Sequence, residues 1–431
     1  MIELAFDLLL SAAGTALADG LAKPRALRRP LFLRAFPGIW LLILIEVALF
    51  GAILAPSGNP ALALILSLAL IMLASLASNA KNRVLGEPLL FSDLALVGSI
   101  LKHPQFYFSV LALWQQVTGV LGLVSLAVAL VWLFQPAVLT ALMGAGLSIG
   151  AMAVLTLSLQ HRVFGQLASH PDAAKDVERL GLVPTLLLYW LRWRKARTDL
   201  KASGEVPVPH RQELVDAAST DSEILVVVQC ESFAEPTSLF ERGGVPLPEL
   251  DRAKRESVQW GRLHVSGFGA YTMRTEYGVL FGRAEEALGF LLYDPYLTAH
   301  SDPTPALPRK LGKAGWQSVF VHPHDMRFYS RHEIMPKAGF MTLVGEENFA
   351  KPAPQTGRYV SDADVADKIL SLASSAQLPT LIYAVTIEIH GPWAPHGEAH
   401  VNSMVDNYNR HVLASDAMLG QLLDSLDALG K

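Results

Sequence analysis

Charge and cysteine are what this sequence of 431 residues has least of. Asp, Glu, Lys and Arg make up 17% of it against 51% hydrophobic residues, and the net charge is −4. That balance leaves no basic footprint, so no nucleic-acid partner is expected. So few charges, with a mean hydropathy of +0.33, are too apolar for an ordinary soluble protein and point to membrane segments. The single cysteine, Cys230, excludes an internal disulfide framework and any multi-cysteine metal site. It lies in an apolar run and reads as a buried structural thiol. Neither a Gly-X-Gly-X-X-Gly nor a P-loop pattern occurs, which removes nucleotide binding of those types. Internal repeats and low-complexity tracts are also missing.

The apolar residues are concentrated before Gln160. Four runs, Pro37 to Pro56, Ala61 to Ala77, Ser109 to Phe134 and Ala137 to Leu159, have the ~17–25 residues needed to cross a bilayer. Met1 to Ala18, interrupted by Asp7, is a possible fifth. Glu46 falls inside a span, where an acid is either functional or partnered within the bundle. Residues 1–160 are therefore read as transmembrane helices. The mixed segment 81–105, with Pro88 and Pro104 as breakers, is read as interfacial. Residues 161–202 form an amphipathic connector whose apolar part, Leu182 to Leu191, is followed by Arg192, Arg194, Lys195 and Arg197. The basic loops (Lys23 to Arg34, Lys81 to Lys102, and this connector) put the second half in the cytoplasm by the positive-inside rule.

From residue 203 the composition is that of a soluble domain. Strand-like runs at Ile224–Cys230, Val258–Val265, Ser318–Val321 and Leu381–Ile387 alternate with helical patterns such as Asp362–Ala373 and Val405–Leu429. That alternation predicts a largely parallel sheet covered by helices. The run EILVVVQCE predicts a central strand buried on both faces.

Four polar clusters stand where strand ends or helix starts are predicted. Glu231 closes the first strand, where carboxyl ends face a ligand crevice; it could hold a cation there or cap the next helix. Thr272 opens a helix, where free backbone N–H groups favour anions. Its hydroxyl is either a nucleophile activated by a metal or an N-cap, with Glu276 near capping-box spacing. His322, His324, Asp325, Arg327, Tyr329 and Arg331 crowd the residues after a third strand; they form either a phosphate site, since Arg forks suit phosphate oxygens, or a solvated loop. Glu388 and His390 follow a fourth.

These stretches, in this order, resemble the lipoteichoic acid synthase and phosphoglycerol transferase family of the sulfatase-like, alkaline-phosphatase-like superfamily. The resemblance runs from the multi-span region through Lys81–Leu94 to the C-terminus. It implies an N-terminal α-helical transmembrane bundle followed by an α/β sulfatase-like domain over 203–431. It implies Glu231 as metal ligand, Thr272 as nucleophile and second ligand, and His322, Tyr329, Arg331 and His390 as substrate contacts. It further implies a divalent metal ion (Mn, Mg or Zn), a lipid-linked phosphoglycerol-type donor and an envelope glycan acceptor. The location it implies is the bacterial cytoplasmic membrane with the catalytic domain extracytoplasmic, against the basic-loop count. The sulfatase signature Cys-x-Pro-x-Arg is absent, which argues against sulfate-ester hydrolysis by formylglycine. The family's Asp-His metal pair does not appear before Lys431, so the domain is expected to be C-terminally incomplete. Phosphoethanolamine transfer and a non-catalytic membrane protein are the alternatives.

Overall fold

A computed structural model describes residues 2–24, 34–96, 113–202, 223–265, 271–299, 302, 306–352, 359–391, 393 and 404–429. It forms two compact units, one of residues 1–199 with 267–270 and 288–294, the other of the remainder.

In the first unit the chain order is α1 (Ile2–Gly20), α2 (Phe36–Ser57), α3 (Pro60–Leu85), α4 (Leu113–Leu133), α5 (Val138–Gln160), α6 (Ala173–Leu180) and α7 (Leu182–Ala202), whose last residues pass to the second unit. Among the described helices, α2, α3 and α5 are long and apolar enough to cross a membrane, by length and composition. The possible fifth span, α1, is not one of them; Glu3, Asp7 and Asp19 give it too much charge. α4 follows the run that starts at Ser109, whose first residues lie outside the described part.

Local chemistry explains the tight turn between α2 and α3. Gly58 closes α2 at φ +68, a conformation glycine adopts without penalty. The Asn59 side chain then accepts the backbone N–H groups of Ala61 (2.9 Å) and Leu62 (3.3 Å). Pro60 fills the first helical position, where its missing N–H costs nothing. α2 packs along α5, and a Cβ on Gly51 would fall 2.6 Å from Gly144 O, so only glycine permits that approach. Glu46 is wholly buried and accepts the Ser11 hydroxyl, which sits 2.9 Å from Ser67 Oγ.

α3 runs through Lys81 to Leu85, past the expected start of the interfacial segment. Gly86 ends it, and a 3₁₀ turn over Phe91–Leu96 follows. Lys81 Nζ pins that turn through Asp93 (2.6 Å) and also pairs with Glu87, just past the end of α3 (3.3 Å). Residues 97–105 of the segment lie outside the described part. In α7 the apolar stretch continues as helix through the basic residues, with Tyr189 and Trp193 buried and Arg194 and Lys195 exposed.

The second unit contains β1 (Ile224–Gln229), α8 (Pro248–Glu256), α9 (Thr272–Phe281), β2 (Gln317–Val321), α10 (Arg331–Ala338), β3 (Thr342–Val344), α11 (Asp362–Ser375), β4 (Thr380–Val385) and α12 (Met404–Leu429). The four strands are all parallel, in the order β1-β4-β2-β3. Ala384 of β4 pairs with Val228 on one side and Val321 on the other. One sheet face packs on α11 and α12 through Val365, Ile369, Met418 and Leu422.

Two expectations are corrected here. Among the described strands, the run around Val226 lies at the edge of the sheet, not its centre: Leu225 is 38% exposed, while all six residues of β4 are buried. A continuous apolar run reports burial on both faces, not which neighbours flank it. Val258–Val265 is no strand; it is irregular, with Val258, Trp260, Leu263 and Val265 exposed. Apolar content there found no sheet to join. β3 carries no sequence signal, because three residues are too few for a period to register.

Candidate active site

Parallel strands align their carboxyl ends on one rim, where ligands bind in open α/β sheets. Glu231 lies two residues past β1, His322 one past β2, and Thr386, Glu388 and His390 follow β4. Glu231 is held there by its own backbone, whose N–H donates to the buried Thr386 Oγ1 at 3.3 Å.

Thr272 is the first residue of α9, and Tyr271, at the cap position, makes no side-chain cap bond. The Thr272 hydroxyl instead donates to Glu231 Oε1 at 3.1 Å. Both plainer readings are thereby corrected. Thr272 does not cap its helix, and the Glu231 carboxylate is taken by that hydroxyl rather than by the next helix, which starts after Glu235. The capping-box role for Glu276 also falls, since its carboxylate is turned inward.

His390 joins the pair, with Nε2 3.9 Å from Glu231 Oε1. Its Nδ1 donates to Gly391 O at 2.8 Å and lies 3.5 Å from the Tyr359 hydroxyl. A carbonyl can only accept, so Nδ1 carries the hydrogen and, on the neutral ring, Nε2 is the acceptor. Glu231, Thr272 and His390 are thus brought together from three distant stretches.

His322 and Arg331 are placed differently from a direct contact. Arg331 is 2% exposed and His322 1%. Arg331 Nε and one terminal nitrogen donate to the two Glu276 oxygens (3.1 and 2.7 Å), and its other terminal nitrogen donates to His322 Nε2 (3.1 Å). His322 Nδ1 donates to Val385 O at 3.0 Å. Burial first, then the Arg331 charge, hold the His322 imidazole well below its ordinary pKa. It is therefore a neutral ring with both nitrogens committed. The Glu276 carboxylate offsets the burial cost of Arg331 and keeps its pKa above the usual range. Tyr329 lies beside this pair, its ring 5.3 Å from the Arg331 guanidinium. Tyr329 and Ser330 both take left-handed backbone angles, at φ +56 and +55, and this double reversal opens α10 with Arg331 directed inward.

Sequence reasoning missed Glu276 as the partner of Arg331, along with the Tyr296 hydroxyl that also reaches Glu276. One signal existed: Thr272 and Glu276 are four residues apart, hence on the same helix face. The others carry no local signature.

Among the described residues no group of three or more His, Cys, Asp or Glu is gathered for a metal ion. Glu231 and Thr272 offer two oxygen donors of the kind divalent cations accept, with an imidazole nitrogen nearby. This set fits one side of a coordination shell, which takes about four or more ligands.

The sulfatase family model matches residues 223–431, the stretch that carries the sheet and every residue just described. The chain belongs to this sulfatase-like family. Among particular relatives, the capsular polysaccharide biosynthesis protein RkpI of Rhizobium meliloti (strain 1021) is 30% identical over 399 residues, 89% of this chain and 73% of that protein. A putative cyclic β-1,2-glucan modification protein of the same organism is 28% identical over 202 residues, 45% of this chain and 30% of that protein. Among solved structures, the integral membrane protein lipooligosaccharide phosphoethanolamine transferase A from Neisseria meningitidis aligns with a TM-score of 0.47 at 14% identity, over 90% of this chain and 79% of that one.

Proposed function

We propose that this chain is a membrane-anchored, metal-dependent transferase of phosphodiester-linked head groups of the phosphoglycerol type. It would move the group from a lipid-linked donor to an envelope glycan, with its catalytic unit outside the bacterial cytoplasmic membrane. The observation that carries this reading is the 3.1 Å bond from the Thr272 hydroxyl to Glu231 at the N-terminus of α9. The names of the two Rhizobium relatives, one for capsular polysaccharide and one for glucan modification, support a glycan acceptor.

In this reading Thr272 Oγ attacks phosphorus and the bond from phosphorus to the lipid alkoxide breaks. The hydroxyl proton passes to Glu231 Oε1 and ends on the departing alkoxide. The product is a phosphoglyceryl ester of Thr272. A glycan hydroxyl then attacks the same phosphorus, its proton passes through Glu231 Oε1 to Thr272 Oγ, and that oxygen leaves as the hydroxyl. The positive end of the α9 dipole favours the phosphoryl oxygens. His390 and Tyr329 border the head group, while Arg331, its charge matched by Glu276, lies under the Tyr329 ring and backs that wall of the site. A divalent cation held by Glu231 and Thr272 would, when bound, lower the pKa of the hydroxyl and neutralise phosphoryl charge.

The test is the full chain in detergent with Mn²⁺ and phosphatidylglycerol, followed by peptide mass spectrometry. A phosphoglycerol adduct on Thr272 is expected in the parent and none in Thr272→Ala, whose turnover should drop about 10³-fold or more. Turnover in Thr272→Ala close to the parent's would remove Thr272 from this role. A phosphoethanolamine adduct when phosphatidylethanolamine is supplied instead, with none from phosphatidylglycerol, would change the donor class. Absence of bound metal and of any adduct would favour a non-catalytic membrane protein.

A further inference from the structure

We infer that Tyr408 of α12 is a positioning residue that sets Glu231 and His390 against Thr272; this rests on the catalytic reading above. The turn that carries Glu231 is not held by a strand or helix. Ser232, the next residue, takes the left-handed φ of +56, which a non-glycine residue keeps only where its surroundings enforce it. The enforcing group is the Tyr408 phenol. It accepts the Ala234 N–H at 2.8 Å and shares its own proton between Ser232 O (3.0 Å) and Ala234 O (3.1 Å). Tyr408 is 1% exposed, and burial raises the pKa of its phenol, so the proton that makes these bonds stays in place.

The same ring backs the second arm of the site. Trp393 packs edge-on against Tyr408, with centroids 5.0 Å apart at 75°. Its Nε1 donates to Ile389 O at 2.7 Å, the residue immediately before His390. Phe233, two residues after Glu231, lies in the same apolar cluster as Tyr408 and Trp393. The aromatic residues that follow Glu231 and His390 in the sequence thus have a shared physical task. Each anchors its polar neighbour's turn to one buried ring.

Tyr408→Phe keeps the ring and its packing and deletes only the hydroxyl. Two measurements on the full chain in detergent test the inference. Hydrogen exchange should rise about tenfold or more in residues 229–236, with the melting temperature within a few degrees of the parent. Mn²⁺ affinity should fall about 10- to 100-fold, the usual effect of losing a group that orients a ligand, and kcat should fall with the donor KM unchanged. Parent-like exchange in residues 229–236 overturns the inference, and so does faster exchange with parent-like Mn²⁺ affinity and kcat. If the parent itself binds no Mn²⁺ and forms no adduct, the catalytic reading fails instead, and the exchange result alone then decides whether Tyr408 holds this turn.

Discussion

Glu46 in the membrane unit and Glu276 in the sulfatase-like unit are both wholly buried, yet they are held in opposite ways. Glu46 receives the Ser11 hydroxyl, itself backed by Ser67, and its second oxygen has no hydrogen-bond partner. Glu276 receives both arms of the Arg331 fork and the Tyr296 hydroxyl. One acid is matched by hydroxyls alone, the other by a full counter-charge in bidentate geometry. The difference lies in what each would leave behind. Removing Glu46 strands two serines that already bond each other. Removing Glu276 strands a guanidinium in the interior, beside the neutral ring of His322.

The largest effect is therefore expected from Glu276→Leu. Breaking a buried ion pair from one side costs about 3–5 kcal/mol, read as a lowered denaturant midpoint or failure to fold. Next comes a third buried acid, Asp362, which has a hydroxyl partner in Ser415 and one oxygen with no hydrogen-bond partner. Burial, with Glu388 adding to it, pushes its pKa up to about 7. The folded state then binds more protons than the unfolded one between about pH 4 and 7. Stability should fall as pH rises through that window, by at most about 1.4 kcal/mol per pH unit, and level off above it. Asp362→Asn should flatten this slope, measured by melting at pH 5 and pH 8; an unchanged slope would assign the pH dependence elsewhere. The smallest effect is expected from Glu46→Leu, a change within about 1 kcal/mol in either direction by melting in detergent, since a buried polar group replaced by a packed apolar one is often neutral. A loss as large as that of Glu276→Leu would erase the contrast between the two units.

Much of the site could be read along the chain because its residues announce themselves locally. Glu231, Thr272 and His390 each follow an apolar run or open a helix. The inward turn of Arg331 could not be read that way. Arg at the end of a strand suits a phosphate in solvent as well as a carboxylate in the core, and the choice depends on Glu276, 55 residues earlier. The edge position of β1 was equally hidden, because β-branched residues describe a pleated, buried surface without stating the strand order.

Hydropathy, charge and period, all properties of neighbouring residues, determined that this chain has an apolar helical half and a parallel α/β half, and which side chains could do chemistry. Tertiary structure alone decided which of them meet. Thr272 reaches Glu231 across 41 residues and Tyr408 reaches Ser232 across 176. The physical reason is that a charge or hydroxyl acquires its role from what replaces water around it, and those replacements come from segments remote in the chain.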